Sequence, residues 1–169
     1  MGLATNLDLT FRWLKSTALD LVSAQEQPTG GRVDWSDALS DGTGAVDTGD
    51  LVWSDRRSLA STTESLDLAG GLTDSFGAAI TFARIKMIAI KNNNTSVGHN
   101  LIIGGAASNQ FLLFTDSSDK YTLGPNGVFL VWEPSAAAKA VTASTGDLLK
   151  IDSGSNTVSY DIIIIGSSA

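Results

Sequence analysis

The sequence predicts an all-β protein: an antiparallel, jelly-roll-like β-sandwich carrying an N-terminal β arm. Three observations lead there. Seventeen glycines against three prolines, with abundant Ser, Thr and Asn, mark many turns. Short β-branched and aromatic runs recur between those turns at close spacing. Several of the runs alternate apolar and polar residues, which is the period of a strand with one wet face.

Taken in order, residues 5–15, TNLDLTFRWLK, set Leu7, Leu9, Phe11 and Trp13 on one side and Asn6, Asp8, Thr10 and Arg12 on the other. This amphipathic strand is the core of an arm at 1–24. STALDLVS, 16–23, reads as a second short strand or an extension of the first. Residues 25–50, QEQPTGGRVDWSDALSDGTGAVDTGD, hold no sustained period and read as a long Gly/Asp-rich loop or linker. The sandwich body then occupies 51–169. Its first strands are DLVWSDRRSLA (50–60) and TESLDLA (63–69), with Leu66 and Leu68 inward, and GGLTDSFG (70–77) is turn chemistry. The β-branched, alternating stretch from Arg84 to Lys91 favours strand over helix. HNLIIGG and FLLFT follow as short buried strands around the loop AASNQ. Residues 115–134, TDSSDKYTLGPNGVFLVWEP, read as a hairpin. Its turn, Gly124-Pro125-Asn126-Gly127, places Pro and Asn where a type II turn takes them. SAAAKAV is a helical turn or a loop into a strand, and GDLLKID and TVSYDIIIIG end the chain.

A chain of 169 residues suits one domain with an arm, large enough to fold without a staple. It has no cysteine, so disulfides and cysteine-based metal sites are excluded. The net charge of −7 repels phosphate, and the lone Arg56-Arg57 pair is too little to bind nucleic acid. No apolar run is long enough for a spanning helix, and MGLATNLDLTFRW lacks the pattern of a signal peptide. The expectation is a soluble protein made in a cytoplasm.

Candidate chemistry is thin. Asp34, Asp37, Asp41, Asp47 and Asp50 invite a calcium site, but EF-hand spacing and a closing Glu are missing, and a solvated loop fits better. His99 follows a glycine in an Asn-rich loop, with no G-x-S-x-G elbow in the chain, and reads as a surface residue. Asp116 and Asp119 resemble a glycosidase pair only in type, since TDSSDK is a turn whose acids cap amides. Gly70-Gly71 and Gly104-Gly105 match no phosphate loop. The expectation is no enzyme, no metal and no cofactor. Of the four tryptophans, Trp13 and Trp132 read as core, while Trp35 and Trp53 are the candidates for a partner or a glycan.

The strand VSYDIIIIG, 158–166, raises a question of cover. Val158, Tyr160, Ile162 and Ile164 take one face, and Ile163 and Ile165 make half of the other apolar too. VFLVW, 128–132, is also apolar on both faces. An antiparallel sheet normally wets one face, so double-sided strands call for a third layer. The arm, through Leu7, Leu9, Phe11 and Trp13, supplies part of it. A neighbouring subunit supplies the rest, with Phe129, Val131, Ile163 and Ile165 as the oligomer interface, the alternative being a thick monomeric sandwich.

LVWSDRRSLASTTESLDLAGGLTDSFGAAITFARIK, VGHNLIIGGAASNQF, TLGPNGVFLVWEPSAAAKAVTASTGDLLKI and VSYDIIIIG, with the TNLDLTFRWLKSTALDL opening, cover most of the chain. Together they resemble a group of small virion structural proteins of tailed bacteriophages. The resemblance implies a capsid decoration (cement) protein: a β-rich homo-oligomer, often a trimer, made in the host bacterial cytoplasm. It would bind the major capsid protein on the outside of the assembled shell. A receptor- or glycan-binding virion module, such as a head fibre or tail tip, is the alternative.

Overall fold

The structure, a computed structural model, describes residues 2–15, 18–19, 22–26 and 29–169. The reading of 16–23 as a strand falls partly on residues 16, 17, 20 and 21, outside the described set. The strands in chain order are β1 (Thr5–Lys15), β2 (Ala18–Leu19), β3 (Val22–Glu26), β4 (Thr29–Asp41) and β5 (Thr48–Gly49). There follow β6 (Leu51–Ala60), β7 (Thr63–Asp67), β8 (Ala69–Thr73), β9 (Ala79–Thr81), β10 (Arg84–Asn92) and β11 (Leu101–Gly104). The last are β12 (Lys120–Leu123), β13 (Val128–Trp132), β14 (Lys139–Ala140), β15 (Leu148–Asp152) and β16 (Thr157–Ser167). Among the described residues no helix is long and apolar enough to cross a membrane.

The all-β expectation holds, and the body is a sandwich of two antiparallel sheets. One runs β13-β10-β16-β6, with β14 beside β10, and the other β12-β11-β15-β7. Register explains which side chains meet. Ile88 pairs with Val131 and Ile164, and Ile164 with Trp53. Ile90 pairs with Phe129 and Ile162. Directly paired residues share a face, so these rows line the inside of the first sheet. From the second sheet Leu66, Leu101, Ile103, Leu123, Leu149 and Ile151 meet them in one buried cluster. Each such side chain contributes roughly 1.5–3 kcal/mol by leaving water.

Three local readings need correction. The stretch 25–50 is not a loop: it contains β4, which pairs with β1 over eleven residues, from Thr5 with Leu39 to Lys15 with Thr29. The arm is therefore a two-stranded hairpin reaching to Asp41. Second, FLLFT forms no strand. Asn109 takes a φ of 51°, and the chain turns so that Phe111 and Leu113 plug the core from a loop. Third, the Gly124–Gly127 turn forms, with Asn126 at a φ of 57° and the Gly127 N–H on the Gly124 carbonyl at 3.0 Å. Yet β12 and β13 are no hairpin. They join different sheets, and the turn is the corner between them.

The segment 70–77, expected as turn alone, lies largely in the hairpin of β8 and β9. Asp74 closes it by accepting from the Phe76 and Ala78 amides, both at 2.8 Å.

Candidate interaction surface

The outer face of the first sheet carries the surface of interest. The register there puts Val52, Ile165, Met87 and Trp132 in one row, and Ser54, Ile163, Ala89 and Leu130 in the next. Beyond them come Arg56, Asp161, Lys91 and Val128. The face thus grades from apolar to charged along the strands. Arg56 forks Asp161, with Nε at 2.6 Å and Nη2 at 3.0 Å, and holds its carboxyl below the usual carboxylate range.

The root of the arm covers the first row. Leu39, only 2% exposed, packs with Met87 and Ile165, and Leu3, Ala89, Leu130 and Trp132 close around them. The Trp132 indole N–H donates to Asp37 at 2.7 Å. Leu39 and Asp37 are fixed in turn by the strand period, which gives them the face of β4 that also bears Trp35, Val33 and Gly31. Those residues pair with Thr5, Leu7, Leu9, Phe11 and Trp13 of β1.

Past the root, that same ribbon face is bare. Phe11, Trp13 and Trp35 are 48%, 54% and 61% exposed, and Val33 is exposed as well. Phe11 and Trp35 meet edge to face at 5.2 Å. Trp13 lies across Gly31, where an added Cβ would fall 2.1 Å from its Cζ2. Glycine at 31 therefore lets the indole lie flat on the ribbon. Eleven paired residues extend about 36 Å at 3.3 Å each, and among the described residues β4 is the sole strand partner of β1. Along most of its length the ribbon is two-stranded, which is marginal in water, and its contiguous aromatic face is the candidate contact surface.

The expected interface residues separate. Ile163 and Ile165 lie on the outer face as expected, Ile163 exposed and Ile165 beneath the arm root. Phe129 and Val131 do not join them. They are cross-strand partners of Ile90 and Ile88, so they pack against the main core, and Val128, Leu130 and Trp132 take the outer face. Trp53, read as a partner or glycan contact, is also corrected: its pairing with Ile164 buries it between the sheets. Trp13, read as core, is on the open arm face, while Trp35 is exposed as a contact residue must be. Leu7, Leu9, Phe11 and Trp13 share one face of the arm.

Apart from Asp47, the polar candidates have local partners. Asp34 accepts from Thr10 and Arg32, Asp37 from Trp132, Asp41 from the Leu3 amide and Asp50 from Ser168. Among the described residues no three His, Asp or Glu side chains converge as a metal site. Asp116 accepts from Ser118, Asp119 accepts from the Asp116 amide, and the His99 ring meets the Thr157 carbonyl at 3.0 Å. An open cleft runs beside the free edge of β6, with Arg57, Glu64 and Asp67 among its walls. Its acids are engaged too. Glu64 accepts from Arg57 and Tyr160, and Asp67 caps the Ala69 amide.

Comparison with family models, with curated proteins and with solved structures returned no match for this chain.

Proposed function

We propose that this chain is a virion decoration protein. As an oligomer, a trimer by resemblance, it binds the major capsid protein on the outside of an assembled phage shell and stabilises that shell. The observation that carries the reading is the hairpin arm, whose aromatic face is covered only at its root. Phe11, Trp13, Val33 and Trp35 all lie exposed on that one ribbon face, and contiguous apolar surface of this kind is used to join other molecules. Three further features support it: the phrases LDLAGGLTDSFG, GGAASN and GDLLKI, the net charge of −7, which suits the outside of a DNA-filled shell, and the cysteine-free composition. The mechanism is mass action. A ligand that binds only the assembled, expanded shell stabilises that state, and many symmetric sites add avidity.

The test is co-sedimentation of the purified protein with expanded and unexpanded shells that lack it. Saturable binding to expanded shells, with a higher temperature of DNA release, is the expected result. No binding to either shell would overturn the reading.

The exposed Trp35 beside Phe11 favours one second reading, a receptor- or glycan-binding module, because an exposed aromatic face accepts a sugar ring. Glycan binding that Trp35→Ala abolishes, without any shell binding, would establish it instead.

A further inference from the structure

We propose that the bare part of the arm docks on the outer sheet face of a second copy of this chain, so that copies are joined by reciprocal arms. The inference rests on the oligomeric part of the reading above and not on the identity of the shell. The first argument is that the contact already exists in miniature. Leu39, on the same ribbon face as Trp35, Val33, Phe11 and Trp13, is seated on Met87 and Ile165 of that sheet, with Asp37 pinned to Trp132. The two surfaces match in chemistry because one end of one is already packed on one end of the other.

The second argument is that both surfaces continue, uncovered, past that contact. On the sheet, Ile163 is 42% exposed, and Val52 is open one row over on the adjacent strand. On the arm, Trp35 is 61% exposed and Trp13 and Phe11 about half exposed. Within one chain the arm's root occupies the Ile165 row while its outer length runs off the body. The open Ile163 and Val52 of one copy and the leftover arm of the next are therefore continuous with a packed interface on each side. Arm exchange satisfies every arm in a closed assembly, either a two-fold pair in which the exchange is mutual or a larger ring in which it runs head to tail. Three copies is the ring that the resemblance implies.

Cysteine cross-linking tests this directly, because the chain has no cysteine of its own. Trp35→Cys and Ile163→Cys both alter exposed side chains, so each variant should keep the fold, which a thermal melt checks. The two variants are purified separately, mixed as full-length chains and oxidised mildly. The expected product is a one-to-one heterodimer that neither variant forms alone. Dimers formed by Trp35→Cys alone would mean arm-to-arm pairing and would overturn the proposal. So would an absence of heterodimer, or a double variant that closes within one chain at high dilution. Heterodimers from a protein that fails to bind shells would leave arm exchange standing and remove the decoration reading. Shell binding without heterodimers would do the reverse.

Discussion

Tyr160 sits on the inner face of β16 and donates its hydroxyl to Glu64 of the facing sheet, which also receives Arg57 at 2.6 Å. Burial and the neighbouring carboxylate push the phenol's pKa up, so the hydroxyl stays a donor at any working pH. Tyr160→Phe should cost about 1 kcal/mol in a denaturant melt, because Glu64 keeps Arg57 as a partner. Lys86 is the more demanding case. It is the extra residue where the β10–β16 register shifts between Ile85 and Met87, and it is 1% exposed. Its ammonium donates to the carbonyls of Ala45, Pro134 and Ser135, tying the loop after β4 to the loop after β13. Lys86→Met leaves those carbonyls without that donor and should cost roughly 1–3 kcal/mol. At the surface, Asp161 has its pKa lowered by Arg56, while its unfolded value stays ordinary. Its contribution is thus present above about pH 4 and lost as pH falls through the folded value. Asp161→Asn should therefore give a shallower acid limb in a plot of Tm against pH. In the sequence, the position of Tyr160 on the core face is plain from the alternation. Its partner Glu64 lies 96 residues away, and Lys86 reads as one more polar residue in a strand. Such partners are set by tertiary register, which local period does not reveal.

The arm shows the same limit at the scale of an element. β1 is legible because four of its alternate positions, Leu7, Leu9, Phe11 and Trp13, are apolar. β4 is not, because its matching face reads Gly31, Val33, Trp35, Asp37, Leu39. Gly31 is small to seat Trp13, and Asp37 is acidic to receive Trp132, so two of the five positions break the pattern for reasons that lie on other strands. The strand β16 fares better, since its second apolar face did signal a further layer, and Leu39 supplies part of that layer. The reading of Phe129 and Val131 as outward fails because a strand apolar on both faces carries no mark of which side is in. Two predictions belong here. Gly31→Ala should lift Trp13 off the ribbon, shift tryptophan fluorescence and weaken self-association while leaving the Tm of the body unchanged. Deleting residues 1–41, both strands of the hairpin together, should leave a folded body that no longer associates, as light scattering and circular dichroism would report.

For the whole molecule, the fold class follows from turn chemistry and short alternating runs, and the two-sheet sandwich realises it. One copy leaves two apolar surfaces open, an aromatic ribbon face and the sheet patch of Ile163 and Val52, each continuous with a contact already packed at the arm's root, and the proposed assembly uses both. The mass of the wild-type protein in solution, by light scattering at micromolar concentration, tests this account most directly. A single species at a multiple of 17.6 kDa, three-fold for the closed ring, is the predicted result. It should fall to one chain mass in Ile163→Asp with the fold retained. A wild-type protein that remains at 17.6 kDa across the concentration range would contradict the account.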